Sequence, residues 1–427
     1  MRRLLLLGLL MLALTSALAV VTAAADSNDP TNPNDPTWPS EWGPRLTRAS
    51  DLWQVSTGSP SIVIAVVDTG LTPIPSELTQ VVPGWDVVGN DASTGDANGH
   101  GTWVSTIIGA LGNNGVGIAG YCWHCSIMPV RVAESRDGGA LASSIASGIR
   151  WAVDHGARII NVSLASNSYD IGELGAIEYA EDNGVIVIGA AGNTGQTDPL
   201  YPAGYPGVLS VAGTDENDVL EDWATYGSWV TLAAPGCEMV MDPNAGPAYG
   251  CGSSFAPPAV SGIAGLLLSI DPSLTANQVE NALRATAHPV QGIGGGEVDA
   301  WAAANYLGLV PATPPPPPAP AATAVPTAAP TSSRQVLLTE GVVRRKTVVR
   351  LQLAAGPLYL QLIGAQAASD CSMSMRASGV LYVALPGEKR IRSLAATVKA
   401  GNYNVTISCV NARKKSYSLD ATGMFPN

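Results

Sequence analysis

Lysine is missing from the first 333 residues of this 427-residue chain, which carry nine arginines against 30 acids. So acidic a stretch repels polyanions, and nucleic acid is excluded as its partner. The balance reverses in residues 334–427, with 13 bases and four acids. Two domains of opposite electrostatic character follow, the second able to touch an anionic surface or to present a solvated basic face. Histidine is scarce: His100, His124, His155 and His288 are all there are. "CWHC" (122–125) has no second CxxC and no HxxxH to accompany it, which argues against a zinc site. Beyond the N-terminus no apolar run is long and uninterrupted enough to span a bilayer, and no short internal repeat is present.

The chain opens with "MRRLLLLGLLMLALTSALAVVTAAAD". Arg2 and Arg3, an apolar stretch and a small-residue site at Ala23–Ala25 make a secretory signal peptide over residues 1–25, cut before Asp26. An uncut membrane anchor is the alternative; the helix-breaking "SNDPTNPNDPTWP" just after the run favours cleavage. Export places six cysteines, Cys122, Cys125, Cys237, Cys251, Cys371 and Cys409, in an oxidising compartment as disulfides. The sequence alone does not choose their pairing; neighbours along the chain give Cys122–Cys125, Cys237–Cys251 and Cys371–Cys409.

A proline-rich linker, 311–333, separates residues 26–310 from residues 334–427. In the first part the apolar runs at 61–68, 126–132, 157–164, 184–191, 208–214 and 229–235 alternate with helical patterns at 140–156 and 170–184. Runs apolar throughout are strands buried on both faces. The fold class predicted is α/β, a mainly parallel sheet with helices on both faces, and its active site belongs beyond the carboxyl ends of the strands. The last 94 residues instead give short alternating runs with Gly and Pro turns, a small β-sandwich.

Four positions carry chemistry. Asp68 closes the apolar run "AVVD" at a strand tip, where a carboxylate needs a partner. His100, in "NGHGTWVS", lies between glycines at a helix start and suits a general base. Ser254, in "GCGSSFAPPAVSG", sits where a turn becomes an apolar helix, with its backbone N–H free at the helix N-terminus. Pro257 and Pro258 fall in the first turn, where a missing N–H costs little. Asn193, in "GAAGNTG", can donate its side-chain amide to an oxyanion. Singly, each has an ordinary structural explanation: "GSS" alone reads as a helix cap.

Together, in this order, "AVVDTG", "GHGTWVS", "AAGN" and "GSSFAPPAV" resemble the signatures of subtilisin-like serine proteases. "NDPTWPSEWGPRLTRASDLW" is similar to the mature start of the thermitase-type branch, and the resemblance covers residues 34–307. It implies a triad of Asp68, His100 and Ser254, an oxyanion site of Asn193 and the Ser254 N–H, and Ser253 in a supporting place. It implies a secreted endopeptidase acting on proteins or peptides as a monomer, with no cofactor in catalysis. Ser163, Leu164 and Ala165 would pair with extended substrate, facing Ala190, Ala191 and Gly192, with Leu200 at the pocket floor. Ala165 and Ser166 stand where the family usually has glycine, which implies a shallower pocket for apolar P1 residues. "GNNGVGIAG" (112–120) resembles a calcium loop, with Asn114, Val116 and Ile118 as the positions of a structural ion.

Departures from the pattern are Trp103, where relatives often have a second histidine, and Phe255 and Ala259 after the nucleophile. Only eight residues separate Ala25 from the mature-like start at Asn34, too few for the family's inhibitory prodomain. "AGNYNVTISC" in the tail resembles the pre-peptidase C-terminal domain, which implies an accessory domain binding a cell surface or substrate. The rival function is a non-catalytic exported binding or adhesion protein on the same fold; a narrow acyl transferase is a third.

Overall fold

The computed structural model describes residues 29–133 and 139–311, and beyond them only the backbone of strands between 334 and 423. The signal peptide, its cleavage site and residues 312–333 of the linker lie outside the described residues.

The strands of the first domain are β1 (Val63–Asp68), β2 (Trp85–Asp86), β3 (Ser126–Arg131), β4 (Ile159–Val162), β5 (Ile186–Ala190), β6 (Val208–Thr214), β7 (Leu232–Pro235), β8 (Cys237–Asp242), β9 (Gly246–Cys251), β10 (His288–Pro289) and β11 (Gly296–Glu297). The helices are α1 (Gly43–Leu46), α2 (Ala49–Leu52), α3 (His100–Gly109), α4 (Ala142–Asp154), α5 (Ile171–Asp182), α6 (Ala256–Ile270), α7 (Ala276–Thr286) and α8 (Ala300–Tyr306). One sheet runs β10-β11-β7-β6-β5-β4-β1-β3-β2 and is parallel except between β10 and β11.

Strand periodicity explains the unbroken apolar runs. In β1, Ile64 and Val66 enter one core with α3, α6, α7 and α8, while Ala65 and Val67 enter the other with α4 and α5. This is the expected α/β layering. α6 is apolar on all sides and runs through the core against β4 to β7. The helix ends follow local chemistry. Asp170 caps α5 by accepting from the Gly172 and Glu173 N–H groups. Gly156 and Gly184 stop α4 and α5 at φ +87° and +70°, the left-handed conformation that glycine adopts without steric cost.

The β8–β9 hairpin was not foreseen. Its antiparallel register sets Cys237 opposite Cys251 and Asp242 opposite Gly246. The Asp242 carboxylate accepts from the Asn244 and Ala245 N–H groups and so shapes the turn. Glu238, in mid-strand, hid the apolar pattern; it is buried and accepts from the Tyr121 hydroxyl at 2.7 Å.

Between 334 and 423 the backbone forms eight strands, from Arg334–Val343 to Lys415–Gly423. Antiparallel register sets Cys371 opposite Cys409. The expected bond between them falls on side chains outside the described residues.

Candidate active site

Asp68 ends β1 and is fully buried. Its Oδ1 accepts from the Thr69 N–H at 2.7 Å and lies 2.7 Å from His100 Nδ1. A carboxylate only accepts, so Nδ1 carries the proton and neutral His100 keeps its lone pair on Nε2. Asp68 Oδ2 is buried with no partner. His100 is the first residue of α3. The glycine that follows makes this approach possible: a Cβ on Gly101 would fall 2.3 Å from the Gly70 carbonyl oxygen and 3.2 Å from Asp68 Cβ.

The start of α3 is organised by Asp96. Its Oδ1 accepts from the Thr69 hydroxyl and the Asn98 and Gly99 N–H groups, and its Oδ2 accepts from the Thr102 N–H and hydroxyl. Burial acts to lower the His100 pKa, but the charge and hydrogen bond of Asp68, with the charge of Asp96, outweigh it and hold the imidazole above its usual 6.5.

Ser254 lies in the short 3₁₀ turn Ser253–Phe255 that leads into α6, with Pro257 and Pro258 in the first turn of that helix. The turn is held from several sides. The Ser254 carbonyl accepts from the Ser163 hydroxyl at 2.7 Å. Ser163 in turn accepts from Asn161 Nδ2 at 2.9 Å, and Asn161 Oδ1 accepts from the Ser261 hydroxyl at 3.0 Å. Ser253 gives its N–H to Asn193 Oδ1 at 2.7 Å and accepts the Gly192 N–H on its hydroxyl at 3.1 Å.

The bond to Ser253 fixes the orientation of the Asn193 amide and turns Nδ2 the other way. A Cβ placed on Gly252, whose φ is +154°, would stand 3.6 Å from Asn193 Nδ2 and 4.0 Å from Ser254 N. The point that a side chain at 252 would fill thus lies between the Asn193 amide group, whose Oδ1 is also 4.0 Å away, and the Ser254 N–H. Phe255 brings the Ser254 turn against the start of α3, its ring 6.0 Å from the imidazole. Asp68, Ser163 and Asn193 all follow or end parallel strands at their carboxyl ends, where ligands of such sheets bind.

The sequence pattern of the subtilase family, peptidase S8, matches residues 59–314. Thermitase of Thermoactinomyces vulgaris is 40% identical over 272 residues, which are 62% of this chain and 96% of thermitase. A thermophilic serine proteinase of a Bacillus species is 36% identical over 272 residues, 62% of this chain and 67% of its own. Among solved structures, a protease of Pseudoalteromonas arctica aligns with a TM-score of 0.60 at 28% identity, covering 65% of this chain and 100% of that one. This chain belongs to the subtilase family. The subtilase is a subtilisin-like serine protease, and its substrates are proteins or peptides.

The expected groove residues fare unequally. Leu164 is half-buried and Ala165 exposed, and Ser166 exchanges backbone hydrogen bonds with Tyr201 at 2.8 and 2.7 Å. The Ser163 hydroxyl donates to the Ser254 carbonyl. Ala190 and Ala191 are buried and offer no open side-chain surface. Gly192 has φ +110°, and a Cβ there would meet Leu200 Cδ1 at 2.3 Å, so Leu200 lies directly against this glycine. Phe255 is fully buried beneath the turn and does not enter the cleft. Trp103, one turn along α3 from His100, donates to Asp242 at 3.3 Å.

The 112–120 loop has partners that its own sequence does not reveal. Asp35 accepts from the Asn113 and Asn114 N–H groups at 2.6 and 3.2 Å. Glu77 is buried beside it with Oε1 unpartnered. Burial raises the Glu77 pKa to about 7; the Ile118 N–H opposes this and the Asp35 charge adds to it. Asn114 Oδ1 is taken by the Val116 N–H at 2.8 Å. Among the described residues no three His, Cys, Asp or Glu side chains form a metal cluster. An ion here would rest on Asp35, Glu77 and loop carbonyls, hard oxygen donors of the kind calcium takes.

Two sets of positioning residues escaped the sequence reading. Asp96 had a signal, an acid four residues before a helix-starting histidine. The Asn161–Ser261 pair had none, since its members lie 100 residues apart.

Proposed function

We propose that this subtilase is a secreted serine endopeptidase in which Asp68, His100 and Ser254 form the catalytic triad. The 2.7 Å bond from His100 Nδ1 to Asp68 carries the proposal, because it leaves Nε2 as the base. Nε2 takes the Ser254 hydroxyl proton as Oγ attacks the scissile carbonyl carbon. The oxyanion is met by Asn193 Nδ2–H and the Ser254 N–H. Nε2–H then protonates the leaving amine, and the C–N bond breaks to give an acyl-enzyme. Water hydrolyses the ester by the same proton path, and Asp68 stays ionised throughout.

Leu200 against Gly192, with an exposed Ala165 where the family usually has glycine, supports moderate-sized apolar P1 residues. Asp35, Glu77 and the 113–118 loop support a structural calcium. The N-terminal run supports export, and the strands beyond residue 334 are assigned to an accessory β-sandwich that binds a surface or substrate. Ser254→Ala is expected to lower casein and peptide hydrolysis on the order of 10⁶-fold and to abolish labelling by phenylmethylsulfonyl fluoride. Unchanged hydrolysis would remove Ser254 from the mechanism.

A further inference from the structure

The β8–β9 hairpin joins the two halves of the proposed triad, and it carries a disulfide where it meets Ser254. At its tip Asp242 accepts from Trp103, and the Met241 N–H donates to the Thr106 hydroxyl at 3.1 Å; both partners lie on α3, which begins with His100. At its base Cys237 and Cys251 are bonded across opposite register positions. Cys251 is followed at once by Gly252, Ser253 and Ser254. The Gly252 N–H donates to the Gly236 carbonyl at 2.8 Å, so the bond nearest the disulfide holds the residue whose missing side chain leaves the space beside Asn193 and the Ser254 N–H open.

The disulfide acts on the unfolded chain by closing a short loop. Its cysteines are only 14 residues apart, and the six register pairs of the hairpin already hold its strands together. Its local effect is different: it fixes the entry of a turn that must hold donors to within a fraction of an ångström. Cys251 is half-buried, whereas Cys122 and Cys125, the other described pair, are fully buried.

We propose that the Cys237–Cys251 disulfide is a positioning bond for the Ser254 turn, and that a dithiol reductant converts the subtilase to a slow form. This rests on the triad proposed above. One thiolate of the dithiol attacks the Cys251 sulfur and breaks the S–S bond, expelling the Cys237 thiolate, which takes up a proton. The second thiolate of the dithiol then attacks its own mixed-disulfide sulfur and releases Cys251. Two electrons pass to the protein, leaving two thiols, and the reagent becomes a cyclic disulfide. The Cys237 thiol then has a ready acceptor, since Glu221 Oε1 lies 3.6 Å from its Sγ.

The test uses the full chain and a short peptide amide, with dithiothreitol as the probe. Cys237→Ser/Cys251→Ser is expected to lower kcat about tenfold or more with KM unchanged, while phenylmethylsulfonyl fluoride still labels one serine per chain. Dithiothreitol is expected to bring the wild type to the same kcat, oxidised glutathione to restore it, and neither to affect the double variant. Equal kcat in the double variant and the wild type overturns the proposal. So does a loss that tracks loss of labelled serine and of circular dichroism, because that is unfolding and not misplacement. The triad is judged separately: an active Ser254→Ala protein sinks the triad, whereas an inactive one beside a fully active double variant sinks only the disulfide's role.

Discussion

Asn193 shows how little freedom one side chain of the proposed site is given. Its Oδ1 is held by the Ser253 N–H at 2.7 Å, so the amide cannot flip without losing a bond to the turn that carries the nucleophile. The same contact leaves Nδ2 3.6 Å from the point a side chain at 252 would occupy. Asn193→Ala is therefore expected to cost about 10²–10³ in kcat with little change in KM, measured on a peptide amide; a change confined to KM would make Asn193 a substrate-binding residue instead. The positions of the four proposed site residues are announced locally, by a strand tip, by flanking glycines or by a turn before an apolar helix. Ser163 was legible as a position but not as a role. Its partner, the Ser254 carbonyl, lies 91 residues away, and no periodicity carries that pairing. Phe255 stands out in the sequence only as a departure from the pattern, and its full burial places it beneath the turn.

The element that matters most to the base is α3, because its first residue is the histidine. Asp96 satisfies donors at that helix start and contributes negative charge near the imidazole. In the proposed mechanism activity requires neutral Nε2, so a raised His100 pKa places the acid limb of kcat/KM above pH 6.5. Asp96→Asn removes one contributor to that rise, and the limb is expected to move to lower pH. The helix start also loses acceptors, at a cost of about 1 kcal/mol of stability. A pH–rate profile beside a denaturant titration reads both; a limb that moves upward would refute the electrostatic part. At this scale, strands buried on both faces were plain in the sequence, since sheet burial leaves long apolar runs. The β8–β9 hairpin was not, since a buried glutamate interrupts β8 and its compensating Tyr121 is 117 residues distant.

Across the whole molecule the acid excess has a consequence beyond solubility. Glu41 accepts from the Thr37 hydroxyl and the Ala119 N–H, Glu238 from Tyr121, and Glu297 from the Thr214 hydroxyl. Each ties together segments far apart in sequence, and each is buried. Burial pushes all three carboxyl groups up to about 8; for Glu238, Tyr121 and Arg45 oppose the rise while Glu41 and Glu297 add to it. Folded pKa values above the ordinary 4.5 mean that the folded chain binds more protons than the unfolded chain between about pH 4.5 and 8. The stability these three groups contribute therefore falls as pH rises through that window, by about 1.4 kcal/mol per pH unit for each, and levels off above it. Glu238→Gln keeps an acceptor for the Tyr121 hydroxyl and cannot ionise. In a Ser254→Ala background, which prevents self-digestion, this variant should lose one proton's share of the slope in denaturant titrations run from pH 5 to 8. Equal slopes in the two proteins would mean that Glu238 is already ionised in the fold, its charge carried by Arg45 and the Tyr121 hydroxyl.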